Sequence, residues 1–192
     1  MRYGVILLVL VLSACSSPAP APQDHFYRLP AATAQPGSAV AGGVLLVEPL
    51  KVSGLIRERS IVYIVSEDSV ELERYHYHLW HESPGYMLQR HLANYLRRSG
   101  FAETVTTAHS LPADMVITGD LHQFMQIHDV GNGRVMVSME LRLQHADSAK
   151  PVIQKIYTEY EPVDGKSMAD VIAAFSRALN RIYNEFAAAS RS

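Results

Sequence analysis

From Val44 to the C-terminus, the spacing of apolar residues switches between the two rhythms that distinguish strands from helices. Val44-Leu45-Leu46-Val47 is an unbroken apolar run halted by Glu48-Pro49, the pattern of a buried strand. Ile61-Val62-Tyr63-Ile64-Val65 is a second strand, apolar on both faces, closed by the polar turn Ser66 to Ser69. Val70 to Leu79 continues as a third, with Leu72 set between charged neighbours. Farther on, Phe101 to Thr106 is short, and Met115 to Ile127 is long with Gly119 mid-strand as the expected place of a bulge. Gly131-Asn132-Gly133 signals a hairpin turn. Beyond it Val135, Val137, Met139, Leu141 and Leu143 alternate with Met136, Ser138, Glu140, Arg142 and Gln144, giving one buried and one mostly wet face. Val152 to Tyr160 returns as the partner strand, opened by Pro151.

Two segments carry the helical period instead. Ser83-Pro84 sets an N-cap before a first-turn proline, and Leu88, Leu92, Tyr95 and Leu96 make one apolar stripe. Arg97 and Arg98 complement the helix dipole, and Gly100 is the C-cap. Ser167 with Asp170 three residues on resembles a capping box. The stripe behind it runs through Met168, Val171, Ile172, Phe175, Ala178, Leu179, Ile182, Tyr183 and Phe186 and must lie on a sheet. The predicted fold class is α+β: a mixed or antiparallel sheet with two amphipathic helices packed on one face, a single domain over 44–192.

The N-terminal stretch follows different rules. Arg2 supplies positive charge, Val5 to Leu12 is apolar but too short to span a bilayer, and Leu12-Ser13-Ala14-Cys15 follows. Residues 1–14 are expected to be a signal peptide. The Leu-Ser-Ala-Cys string resembles the bacterial lipobox, which implies that Cys15 carries the lipid and that the cut falls before it. Ser16, where an Asp favours inner-membrane retention, implies the outer membrane, periplasmic face. Residues 15–43 then form a lipidated, Pro- and Ala-rich tether, a short edge strand at His25 to Leu29, and a flexible loop from Ala31 to Gly43. Ser16 to Gln23 has three prolines in eight residues and reaches roughly 25 Å at about 3.1 Å per residue.

Composition narrows the chemistry. A net charge of -2 argues against nucleic acid as the partner, because phosphate recognition uses a basic face. One cysteine cannot make an internal disulfide, a CxxC redox pair or a multi-cysteine zinc site. No GxSxG, HExxH or glycine-rich phosphate loop occurs. His76, His78 and His81 are close enough to suggest a zinc set, with 76 and 78 on one strand face, although such a local cluster is common among nine histidines. Asp114, Asp120 and His122 read as ion-pairing residues before they read as an acid–base couple. Trp80, after Tyr75 and Tyr77, is either an aromatic partner contact or a plug between the third strand and the first helix. Met115, Met125, Met136 and Met139 either fill the core or line an adaptable surface for lipid.

Several segments together carry a family likeness: the lipobox, the Pro-rich tether, Phe26-Tyr27-x-Leu29 and Val47-x-Pro49. Arg59-Ser60-Ile61-Val62-Tyr63, Tyr75-x-Tyr77-x-x-Trp80-x-Glu82-x-Pro84 and Thr118-Gly119-Asp120-Leu121-x-x-Phe124 complete the set. The chain resembles the ABC-type transport auxiliary lipoprotein family, the paraquat-inducible protein C-like lipoproteins, over nearly its whole mature length. It departs mildly at Leu55-Ile56-Arg57-Glu58-Arg59, where members often carry a bulky charged loop. The resemblance implies no enzyme activity and no cofactor. It implies an accessory subunit of an envelope system whose MCE-domain tunnel protein is the partner, homo-oligomeric rings, and support of intermembrane lipid transport or envelope integrity. A structural or assembly lipoprotein of another outer-membrane machine, and a periplasmic metal-binding protein, are the alternatives. Replacing Cys15→Ser is expected to release the protein from membranes and abolish palmitate labelling, as checked by fractionation.

Overall fold

The alternating runs of the second half become the spine of an open mixed sheet. In the computed structural model, residues 21–37, 39–128 and 131–191 are described, so Cys15, the leader 1–14 and most of the tether lie outside the described residues. In chain order the elements are β1 (His25–Tyr27), β2 (Ala41–Val47), β3 (Lys51–Val52), a 3-10 turn (Gly54–Arg57), β4 (Ser60–Ile64), β5 (Glu73–Trp80) and α1 (Pro84–Ser99). There follow β6 (Ala102–Thr106), β7 (Met115–Ile127), β8 (Arg134–His145), β9 (Pro151–Pro162) and α2 (Met168–Ala189).

Strand β7 is the axis. One edge carries the antiparallel meander to β8 and β9. The other edge is shared by three short parallel strands in succession: β2 beside Met115 to Ile117, β3 beside Asp120 and Leu121, and β4 beside Met125 to Ile127. Parallel neighbours need a crossover, and α1 lies on the long connection that carries the chain from β2 to its parallel neighbour β6. β6 lies outside β2, while β5 and then β1 lie outside β4. The architecture is α+β, as the periodicities predict.

Both helices cover one face. Phe175 of α2 meets Phe124 of β7 with ring centroids 4.4 Å apart, and Phe186 meets Tyr157 of β9 edge-on. Tyr95 of α1 touches Tyr183 of α2, and its hydroxyl donates to Asn184 Oδ1 at 2.6 Å, so the helices pack side by side. The five odd-numbered apolar positions Val135 to Leu143 of β8 are buried beneath them. Toward the β9 rim, where water reaches the interface, the contacts turn ionic. Lys155 pairs with Glu185 at 2.5 Å and Arg177 with Glu161 at 2.6 Å. At the head of α2 the Ser167–Asp170 capping box is formed in both directions. Two hydrogen bonds from Ser167 hold the Asp170 carboxyl below the ordinary carboxylate range.

The structure departs from expectation at five places. The strand expected from Val70 starts only at Glu73, and the one expected at Val44 starts at Ala41. Ser83 stands at the N-cap of α1 but its side chain makes no capping bond; Pro84 at the first helical position removes one donor that would need it. β3 and the 3-10 turn carry no periodic signal because they are too short. The bulge lies at His122 rather than at Gly119: Leu121 faces Met139 while Gln123 faces Ser138, leaving one extra residue on β7. That extra residue inverts the alternation, so even-numbered Phe124 joins the odd-numbered residues on the helix-covered face.

Gly119 has a different role. A Cβ there would meet the Glu140 carbonyl oxygen at 2.4 Å and Leu50 Cδ2 at 2.9 Å. Glycine lets the Leu50 loop seat against the sheet. Gly119→Ala is expected to destabilise the fold by about 1–3 kcal/mol, the usual cost of overpacking. Urea unfolding followed by circular dichroism checks this; an unchanged midpoint contradicts it.

Candidate functional site

At the β1 end of the sheet, four strands bring tyrosines and histidines into one connected cluster. The bulge at His122 is part of the cause, because it turns Gln126 of β7 to the same side as Phe124. Tyr75 of β5 donates to Gln126 Oε1 at 3.0 Å and lies 2.7 Å from His128 Nε2. One phenolic proton cannot serve both, so donation to Gln126 requires His128 to carry its hydrogen on Nε2. Tyr63 of β4 donates to Glu73 at 2.5 Å, and its ring lies 4.6 Å from that of Tyr75 and edge-on to His128. On the outer side, Tyr27 of β1 is bonded to His78 Nδ1 at 2.8 Å, and the His25 ring stacks on His78 at 5.5 Å. Tyr75 meets His78 edge-on and closes the chain of contacts.

Burial sets the electrostatics. It raises the Tyr75 phenol to about 12. The Tyr63 phenol is raised mainly by its bond to the Glu73 carboxylate. His78 is lowered, first by desolvation and then by the neighbouring His25. These groups stay neutral near pH 7 and act as hydrogen-bonding rather than charged partners.

The three histidines expected to share a ligand set separate. β5 shifts register between its two pairings with β4, and this breaks the alternation that would align 76 with 78. His78 turns to Tyr27 and Tyr75, His76 lies exposed beside Tyr77, and His81 pairs with Glu82 at 3.0 Å. Among the described residues no three His, Cys, Asp or Glu side chains are grouped to hold a metal ion. Asp114, Asp120 and His122 also separate: Asp114 accepts from the Val44 amide at 2.7 Å, Asp120 pairs with Arg142 at 2.9 Å, and His122 is exposed. Trp80 is a core residue, 1% exposed, stacked on Phe124 and edge-on to Phe175 of α2. Met115, Met125 and Met139 are buried and Met136 is packed against the core, so they fill the interior. Nothing in the sequence joins His25, Tyr27, Tyr63, Gln126 and His128, although Tyr27 and Tyr63 fall in the family-like segments. They are up to about a hundred positions apart, and only strand pairing joins them.

Beside the cluster, a cleft of about 440 Å³ opens between the Arg28–Ala32 segment and α1. His91 closes its floor; its Nε2 donates to the Pro30 carbonyl at 2.8 Å, which ties the segment after β1 to the helix. Arg90 on the rim is held by Glu82.

The profile of the ABC-type transport auxiliary lipoprotein component family matches residues 27–187, from the last residue of β1 into the final turn of α2. The chain belongs to this family. No curated protein matches it. Its fold is similar to that of protein XCC0632 from Xanthomonas campestris, with a TM-score of 0.72, 21% identity, and 84% of this chain and 92% of that one covered. A solved uncharacterized protein is similar at TM-score 0.71 and 16% identity, covering 88% and 99%. The hypothetical protein CT253 from Chlamydia trachomatis is similar at 0.50 and 13%, covering 78% and 95%. These likenesses show a shared fold. Among the described residues of this auxiliary lipoprotein no helix is long and apolar enough to cross a membrane.

The buried His91 is expected to make the lipoprotein acid-sensitive. Burial lowers its pKa below 6.5, outweighing the opposing bond to Pro30. A folded-state value below the unfolded one means that the unfolded chain binds the proton more readily. Stability is therefore complete above about pH 6.5 and falls as the pH drops toward the folded-state value. The urea midpoint is expected to fall between pH 7.5 and pH 5. His91→Gln, which keeps a donor for Pro30, should show a smaller fall; an equal fall assigns the sensitivity elsewhere.

Proposed function

We propose that this auxiliary lipoprotein is held by acylated Cys15 on the periplasmic face of the outer membrane and docks the MCE-domain tunnel protein of an envelope transport system. In this reading it works as a homo-oligomeric ring and supports lipid movement between the membranes or envelope integrity, by binding rather than catalysis. The family match over residues 27–187 carries the reading, because it takes in nearly every element of the fold. The lipobox-like string before Cys15 supports the anchor.

Geometry supports a docking role as well. Among the described residues β9 pairs only with β8, so its twelve-residue strand presents an open edge. Val152, Ile156 and Tyr160 share one of its faces and are exposed. An open edge with an apolar row invites another chain unless it is covered, and a neighbouring subunit or the tunnel protein would cover it.

The test joins location, assembly and partner. On sucrose gradients the mature protein is expected in the outer-membrane fraction, and after crosslinking in intact envelopes an MCE-domain protein is expected with it by mass spectrometry. Detergent-purified protein should sediment at several times the monomer mass, and Ile156→Asp should shift it toward the monomer without altering circular dichroism. Inner-membrane fractionation, or a monomer with no MCE-domain partner, contradicts the reading.

A further inference from the structure

The β1 edge of the sheet differs from the rest of the surface. Phe26 is 56% exposed on a strand of only three residues. The Arg59 guanidinium lies over its ring, 5.1 Å from the centroid, while Arg59 Nε donates to the Trp80 carbonyl at 3.0 Å. Phe26 shares its register position, and so its face, with Leu79 of β5. Exposed Tyr77 lies on the same strand, two residues away. Arg28, two residues after Phe26 in the chain, and Arg57, two residues before Arg59, are both exposed. Of the nearby carboxylates, Glu58 pairs with Arg74 and Glu82 with Arg90 and His81, while Asp24 stands exposed just before β1. A chain of net charge -2 thus gathers arginines and an exposed phenylalanine at one edge.

Where the chain leads from this edge selects the occupant. Nine residues, 16–24, separate Cys15 from the start of β1, a span of roughly 30 Å at about 3.1 Å per residue. With acyl chains on Cys15, β1 is the strand brought nearest the bilayer. Arginine over an exposed aromatic suits the headgroup layer, where the guanidinium meets phosphate and the ring enters the acyl boundary. We propose that the Phe26–Arg59 edge, with Arg28 and Arg57, seats on the anionic phospholipid surface in which the protein is anchored. The domain is then oriented on that surface rather than swinging free on its tether. The proposal rests on the Cys15 anchor, which confines the domain to the surface and lets weak contacts act at high local concentration.

The full acylated chain, reconstituted into phosphatidylethanolamine–phosphatidylglycerol vesicles, provides the test. Trp80 is the chain's one tryptophan and is buried, so Phe26→Trp adds a clean reporter. Its emission is expected to shift blue and to be quenched about twofold or more by brominated lipid. The quenching should fall by about half or more in about 0.5 M salt, with phosphatidylcholine in place of phosphatidylglycerol, or with Arg57→Ala and Arg59→Ala together. Tyr160→Trp on β9 should remain unquenched. A chain that floats with the vesicles while Phe26→Trp stays unquenched overturns the seating and leaves the anchor standing. A blue shift without quenching, growing with protein density, means that a second copy covers the edge and also overturns it. A chain that does not float overturns both seating and anchor.

Discussion

The packing of β7 beneath α2 is the contact on which the other layers depend. β7 joins the two halves of the sheet, with β8 along one edge and β2, β3 and β4 in turn along the other. The short strands bring two to seven residues each and could not hold a register alone. They are ordered because β7 offers a continuous ladder, and β7 is flattened against Phe175 and its neighbours by the apolar stripe of α2. Trp80 enters the same aromatic group from β5 through its stack on Phe124. One cluster of three rings therefore joins the meander, the parallel strands and the second helix.

Stability decreases outward from that centre. β1 has three residues, and its pairing with β5 is supplemented by side chains: the Tyr27–His78 bond, the Arg59–Phe26 contact, and the His81 amide donating to the Tyr27 carbonyl at 2.8 Å. Individual hydrogen bonds of this kind contribute about 0.5–1.5 kcal/mol. Such an edge opens at far less cost than global unfolding. The segment that follows it, Arg28 to Ala32, is pinned through Pro30 to His91 of α1. The part of the domain nearest the tether is thus the part held by side-chain chemistry, while the remainder is held by ladders and core.

The readable parts of the fold were those with many periods. The odd-position row of β8 and the nine-residue stripe of α2 each repeat enough to determine a face, and both lie where the repeat puts them. What escaped depends on single residues or on pairing. One extra residue at His122 reverses the face of everything after it on β7, and no alternation rule shows where a bulge falls. The shift on β5 likewise separates His76 from His78, which strict alternation had placed together. The Tyr–His cluster combines both effects. His25 reaches His78 through the β1–β5 pairing, and Tyr63 reaches Gln126 and His128 through the β4–β7 pairing, neither of which joins strands consecutive in the chain. Arg59 over Phe26 is a cross-strand contact of the same kind, invisible to any local pattern.

The two surfaces given binding roles lie at opposite edges of the open sheet. From β7 the order runs outward through β4 and β5 to β1 in one direction, and through β8 to β9 in the other. A closed barrel would abolish both edges, and a smaller sheet would crowd them together. Their chemistry differs as their occupants would require. The β1 edge joins arginine to an aromatic ring and suits a phosphate-bearing interface. The β9 edge presents Val152 and Ile156 beside an unpaired ladder and suits another polypeptide. With the width of the sheet between them, a bilayer proposed for one edge would not compete with a polypeptide at the other, and a domain seated by β1 would hold β9 away from the membrane and open to that polypeptide.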